Sequence, residues 1–253
     1  TLDAKIKVAI SSVSCANALM NLSQEMPGWD FEKVHKDAVE KWNKKLSCVK
    51  IETKDERAKK IFYTAMYHTF IAPVLYCDVN GQFRGIDDKI YSDTKWSNYS
   101  IFSLWDTYRT LNPLYTLIAP DMVDNIVNSF LSIYDQQGKL PIWPLWNGET
   151  NCMPGYSSVP IIADAYLKGF KGFDATKAFN CMISTATNDA QNGVKYVKEK
   201  GYIPCDKIHE ATSIAMEYAA DDCGIALMAK KMGKTEDYQK YLQRGKYYAQ
   251  YFD

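Results

Sequence analysis

The sequence predicts a mainly helical chain, arranged as the first part of an α/α toroid. Three observations lead there. From residue 30 onward apolar residues recur three or four apart among charges, the spacing of amphipathic helices. No fixed-period repeat is visible, which disfavours a solenoid. Two long loops, 73–100 and 138–157, are rich in Trp, Tyr, Gly, Asn and Asp, as functional loops of compact helical domains are. Periodicity by itself leaves other helical arrays open.

The chain starts differently. Ile6, Val8 and Ile10 alternate with Lys5, Lys7 and Ala9 before Ser11-Ser12, the pattern of a strand. A lone strand has no stability of its own, so its partners are expected upstream of Thr1. Phe31, Val34, Ala38, Trp42 and Leu46 then mark an amphipathic helix, expected as a connector. Further helices are expected at roughly 54–72, 102–118, 121–137, 158–169, 173–190, 209–231 and 234–252. Asp121 and Asp174 are expected to cap two of them and Gly138 and Gly169 to end two.

Composition narrows the function. The 253 residues include 47% hydrophobic ones, enough for a sizeable core. Thirty basic and thirty acidic residues cancel, leaving no electrostatic footprint for nucleic acid or an anionic membrane. Neutral ligands are expected. No apolar run approaches the roughly 20 residues of a membrane helix, and no leader pattern opens the chain; the start at Thr1 suggests processing or an excised piece. Seven cysteines lie far apart and form no zinc pattern with the three histidines. Most are expected as small buried hydrophobes.

Four constellations carry chemistry. In Ser103-Leu104-Trp105-Asp106-Thr107-Tyr108-Arg109, helical spacing brings Trp105, Asp106 and Arg109 onto adjoining faces. Such a trio can hold a sugar ring, with the indole on its apolar face and the charges on its hydroxyls. It can equally be an intrahelical ion pair beside a core tryptophan. The loop from Leu140 to Glu149 sets Trp143, Trp146 and Glu149 around two prolines, giving either a rigid stacking platform or a loop anchor. Asp164 lies inside the apolar run Ile161-Ile162-Ala163-Asp164-Ala165-Tyr166, as a hydrogen-bonding hub or a support for the site.

The fourth is Met216-Glu217-Tyr218-Ala219-Ala220-Asp221-Asp222-Cys223-Gly224. Glu217 and Asp221 share a helical face, and like charges at that spacing oppose each other unless one is protonated or a cation intervenes. A Glu217 that keeps its proton beside Asp221 in a low-dielectric cleft is a general acid; the alternative is a solvated acidic stripe. An Asp221-Asp222 metal motif of a prenyl-converting enzyme is disfavoured, because the following turn lacks a further aspartate.

These residues resemble glycoside hydrolase family 92, calcium-dependent exo-α-mannosidases, over nearly the whole chain. The resemblance runs through Ile10-Ser11, Trp42-Asn43-Lys44-Lys45-Leu46, Phe62 to Thr69, Asp78-Val79-Asn80-Gly81, Ser103 to Arg109, Leu140 to Pro144, Ile162 to Tyr166 and Met216 to Asp222. It implies a terminal strand of an N-terminal β-sandwich (1–14), a helical linker (15–50) and the N-terminal part of an (α/α)6 catalytic domain (51–253). It further implies inverting hydrolysis of terminal α-linked mannose, with Glu217 as the general acid and a separate base some 6.5–9.5 Å away.

On that resemblance Trp105, Asp106, Arg109, Trp143 and Glu149 would bind substrate, with Asp164 and Asp221 in support. A calcium ion would favour the distorted sugar, with most of its ligands, like the base, expected beyond Asp253. The partners implied are mannose-containing glycans and the remaining segments of the same protein, in the periplasm, at the cell surface or secreted. Ser157 stands where relatives often carry histidine, which puts a role for that loop position in doubt. A non-catalytic helical glycan-binding or scaffold module is the competing expectation.

Overall fold

The computed structural model describes residues 4–92 and 95–252. The chain forms two compact units, residues 1–99 and 100–253.

The first unit holds α1 (Cys15–Glu25), α2 (Phe31–Leu46) and α3 (Glu56–Thr69). Each starts on a side-chain cap: Ser14 accepts from the Asn17 amide, Asp30 from Lys33, and Asp55 from Arg57 and Ala58. These oxygens replace partners that the first turn lacks. The strand expected at 5–10 does not form. Residues 4–10 carry no ladder among the described residues, and Ile6, Val8 and Ile10 are largely exposed, because a strand exists only through a partner's hydrogen bonds. Lys5 and Lys7 instead donate to carbonyls of Trp29, Met26 and Gly28.

Asp78 organises this unit. Its nearly buried carboxylate accepts from Ser11 Oγ at 2.6 Å, Asn17 Nδ2 at 2.8 Å and Asn21 Nδ2 at 2.7 Å. Asn21 in turn accepts from the Val79 amide at 3.0 Å. Three neutral donors satisfy a charge whose desolvation is otherwise costly, and they tie the segment at 11–21 to the turn at 78–82.

The second unit is helical: α4 (Leu104–Thr107), α5 (Leu111–Ile118), α6 (Pro120–Gln137), α7 (Ser158–Leu167), α8 (Ala175–Thr187), α9 (Val194–Lys200), α10 (Ala211–Lys231) and α11 (Thr235–Arg244), then a 3-10 turn at Tyr247–Tyr251. The mainly α class is as expected. Asp174 caps α8 through the Lys177 amide, and Gly138 ends α6 at φ 78°. Gly169 follows α7 at φ 92°.

Three details differ from expectation. Asp121 is not the N-cap of α6: Ala119 holds that position, Pro120 takes the first helical one, where its missing N–H is harmless, and Asp121 lies in the first turn. The helix expected at 102–118 is broken after Thr107, since the Pro113 ring would clash with the carbonyl four residues back. The short α9, between Gly193 at φ 82° and Gly201 at φ 76°, was not foreseen.

Helix α10 is the centre of this unit. Ile214, Tyr218, Asp221, Ile225 and Met228 are buried on one face and Ala215, Ala219, Asp222 and Ala226 on the adjoining one, as in a helix enclosed by others. It packs on α7, α8 and α11. At Gly224 a Cβ would stand 3.2 Å from Pro160 Cα, so glycine permits the close approach to α7. All seven cysteines are free. Of these only Cys181 is buried, which corrects the expectation for most of them.

Candidate active site

The break between α4 and α5 creates the site. It leaves Tyr108 and Arg109 on a turn outside both helices, from which both side chains reach Glu217 on α10. The Tyr108 hydroxyl donates to Glu217 Oε2 at 2.9 Å, and Arg109 Nη2 donates to Oε1 at 2.5 Å. The guanidinium also stacks over the rings of Tyr108, at 4.4 Å, and Trp105, at 5.3 Å, and it donates to the Trp105 carbonyl. Stacking and ion pairing suit arginine's flat, delocalised charge. Burial and the Glu217 carboxylate push the Tyr108 phenol well above its ordinary range, so it remains a donor.

One turn further along α10, Asp221 is fully buried. Its Oδ2 accepts from the Tyr156 amide at 2.7 Å, whereas Oδ1 has no partner among the described residues. Burial above all pushes its carboxyl well above the usual range, with the charges of Glu217 and Asp222 adding to the effect. Desolvation therefore acts on Asp221, where it favours the protonated form. Tertiary partners separate two residues that helical spacing treats alike.

A buried clamp fixes the loop above this helix. Tyr156 donates its hydroxyl to Asp222 Oδ1 at 2.7 Å, and its ring stacks on Tyr218 at 4.7 Å and 17°. Arg244 Nε meets the other Asp222 oxygen at 2.7 Å, while its Nη2 donates to the Ala186 carbonyl at 3.0 Å. Burial moves the Asp222 carboxyl up to about 6, against the pull of Arg244. Gly155 completes the clamp. At φ 89°, a Cβ there would lie 3.0 Å from both Asp221 Oδ2 and Glu217 Cβ, so only glycine fits without displacing them.

The other expected residues lie around this centre in different ways. Asp106 is exposed and accepts from Ser103 Oγ. Trp105 is half-buried, with its Nε1 unpartnered among the described residues. Trp143 is half-buried in the loop before α7. Glu149 spends its carboxylate on that loop: the amides of Ile142, Trp143 and Asn151 donate to it at 2.8, 2.8 and 2.9 Å. It thereby closes the hairpin in which Pro144 pairs with Glu149 and Leu145 with Gly148. Asp164 is half-buried rather than enclosed, and pairs with Lys168 at 2.7 Å.

Tyr108, Gly155, Tyr156 and Arg244 were not singled out from the sequence. Adjacent acids at 221 and 222 in an apolar helix called for a cation, but nothing local pointed to residue 244. Among the described residues no helix is long and apolar enough to cross a membrane. No group of three or more His, Cys, Asp or Glu side chains there is arranged to hold a metal ion.

Comparison with known proteins is specific. Residues 17–253 match the glycosyl hydrolase family 92 catalytic domain. A family GH92 α-mannosidase of solved structure from Bacteroides thetaiotaomicron is 40% identical, with a TM-score of 0.91 over 94% of this chain and 32% of its own. A family GH92 inverting mannosidase from the same organism is 28% identical, with a TM-score of 0.89 over 94% of this chain and 33% of its own. A protein of Arthroderma benhamiae named an uncharacterized secreted glycosidase is 25% identical over 94% of this chain and 29% of its own length. The chain thus spans about a third of the length of these relatives.

Proposed function

The chain belongs to glycosyl hydrolase family 92, and from that premise we propose that it supplies the acid side of an inverting α-mannosidase acting on mannose-terminated glycans. The observation that carries this reading is the position of Glu217, with 12% of its side chain in solvent, gripped by two donors and backed by a buried acid.

A general acid needs one carboxyl oxygen aimed at the glycosidic oxygen while the other is held. Tyr108, half-buried and un-ionised, is the fixed donor. Arg109 is more exposed, with 42% of its side chain in solvent, and is the donor that gives way when substrate arrives. Glu217 Oε1, freed of Arg109, takes up a proton from solvent, gives it to the leaving-group oxygen as the glycosidic bond breaks, and returns to Arg109 as the carboxylate. Trp105 and Asp106, on the same short segment, would take the terminal mannose by stacking and hydrogen bonding. Asp221, whose burial favours its protonated form, lies one turn behind Glu217. Trp143 and Glu149 would contribute through the rigid loop that Glu149 closes, and Asp164 only as a support for α7.

A calcium cofactor remains part of the proposal for the whole protein. The described acidic side chains do not assemble a site for it, so no step assigned to these residues runs through the metal. The secreted fungal relative favours an extracytoplasmic location.

The test is Glu217→Gln in the full-length protein, assayed on an α-mannobioside with and without added calcium. Turnover is expected to fall by about 10²–10⁴-fold, with binding of the mannoside retained. Unchanged turnover removes Glu217 from the chemistry, and binding without turnover in the wild type favours a glycan-binding module.

A further inference from the structure

Tyr108 and Arg109 grip the carboxylate of Glu217, but Arg109 gives way when substrate arrives. One hydrogen bond then holds the carboxyl, and the direction it takes depends on how the stem of the side chain is seated. We propose that Tyr156 is a positioning residue for the acid: anchored in the core, it sets the Gly155 backbone against the Glu217 stem and so aims the carboxyl at the leaving group. The proposal rests on the mannosidase reading of Glu217 and adds to it a residue buried out of reach of substrate.

Three observations support it. The first is convergence. Tyr156 meets α10 at three places around the acid: its ring stacks on Tyr218 at 4.7 Å, its amide donates to Asp221 at 2.7 Å and its hydroxyl donates to Asp222 at 2.7 Å. Ring, backbone and tip are fixed at once. The residue before it is Gly155, which stands against Glu217 itself.

The second is the scarcity of other anchors. Glu149 fixes the first part of the loop through the amides of Ile142, Trp143 and Asn151, and the Cys152 amide donates to Thr150 Oγ1. Among the described residues, Met153, Pro154 and Gly155 make no hydrogen bond. The placement of Gly155 therefore passes to Tyr156, the next residue that is tied down.

The third is strain. Trp146 (52°), Asn151 (51°) and Met153 (74°) hold positive φ with side chains attached, and Gly155 follows at 89°. Such angles cost energy and persist only where the surroundings over-determine them, so the loop relaxes when an anchor is removed. The anchor is braced in turn from α11. Arg244 Nε binds the Asp222 oxygen that Tyr156 leaves free, at 2.7 Å, and its Nη2 reaches the Tyr156 hydroxyl at 3.4 Å. A shift of the loop reaches the acid directly, because a Cβ on Gly155 would lie 3.0 Å from Glu217 Cβ, and small displacements of a proton donor slow its transfer.

The experiment compares full-length wild type, Tyr156→Phe and Gly155→Ala on an α-mannobioside and on α-mannosyl fluoride, whose fluoride departs without a proton. Both rates are taken on one preparation, so their ratio does not depend on how much of a variant has folded. Tyr156→Phe keeps the ring and the amide and removes only the hold on Asp222; Gly155→Ala presses a methyl on the Glu217 stem. In both, the ratio of kcat on mannobioside to kcat on mannosyl fluoride is expected to fall about tenfold, with KM for mannobioside within about twofold of wild type. Across a series of aryl α-mannosides, kcat/KM should depend more steeply on leaving-group pKa in the variants, as it does when proton donation is impaired. A tyrosine that serves only the fold depresses both substrates alike. Equal or complete loss on both substrates in either variant, an unchanged ratio, or an unchanged leaving-group dependence therefore overturns the proposal. Wild-type protein that cleaves neither substrate removes the mannosidase reading and this proposal with it, whereas an active wild type with an unchanged ratio in the variants removes this proposal alone.

Discussion

Tyr108 and Glu217 lie 109 residues apart in sequence and 2.9 Å apart in space, with the phenol donating to Oε2 of the carboxylate. The same carboxylate receives Arg109 on its other oxygen, so two consecutive residues hold both of its ends. The inequality between the two donors matters more than their number: one is a half-buried phenol with few rotatable bonds, the other a longer and more exposed guanidinium that can swing into solvent.

From that inequality, Tyr108→Phe should lower kcat by about 10–100-fold with KM little changed, because a carboxyl free to rotate is misplaced for proton transfer. The loss should be largest for sugar leaving groups and nearly absent for α-mannosyl fluoride, which departs without a proton. Steady-state kinetics on both substrates checks this. An equal loss on the two would mean that Tyr108 serves folding rather than proton delivery.

The Arg244–Asp222 pair, with side chains 5% and 1% exposed, supports stability. Arg244→Met would strand a buried carboxylate between α10 and the Tyr156 loop, a change that costs about 3–5 kcal/mol, or a Tm lower by on the order of 10 °C. Adding Asp222→Leu to that variant should recover most of the loss, since an apolar pair often replaces a buried ion pair without penalty. Thermal melts of the single and double variants provide the measurement. A double variant no more stable than the single one would point to packing instead of charge.

Asp221 gives the protein a pH dependence opposite to that of a salt-bridged carboxylate. Its folded pKa is raised above the unfolded value, so between the two the folded state binds the extra proton. The stability associated with that proton is fully present below the ordinary carboxylate value and falls as pH rises towards the folded pKa, by up to about 1.4 kcal/mol per pH unit. Asp221→Asn cannot ionise and should escape this decline. Its Tm relative to wild type should therefore grow as pH is raised from about 4 to 7. A constant difference across that range would show that Asp221 does not change protonation on unfolding.

Much of the helical order is legible in the sequence because periodicity and caps are local. Asp174 and Gly138 act where they were expected, and Phe31 to Leu46 forms one helix. At the start of the chain alternation signals the capacity to pair, and residues 4–10 carry no ladder because pairing needs a neighbour. At the site, the spacing of Glu217 and Asp221 correctly placed them one turn apart on a largely buried helix. It could not show which would be desolvated and which would meet a cation. Those answers depend on Tyr108, Arg109 and Tyr156, brought in by tertiary packing from other segments. Glu149 illustrates the converse: a carboxylate between aromatic residues looks available for a ligand until three loop amides are seen to occupy it.

Pro113 touches neither Tyr108 nor Arg109 in any described hydrogen bond, yet it decides where both side chains point. An uninterrupted helix through 108–110 would advance about 100° per residue and turn consecutive side chains to different sides. Between the end of α4 at Thr107 and the start of α5 at Leu111, two neighbouring residues instead share one target, Glu217. The turn that carries both donors is thus placed by a covalent constraint on the backbone, and not by their hydrogen bonds to Glu217 alone.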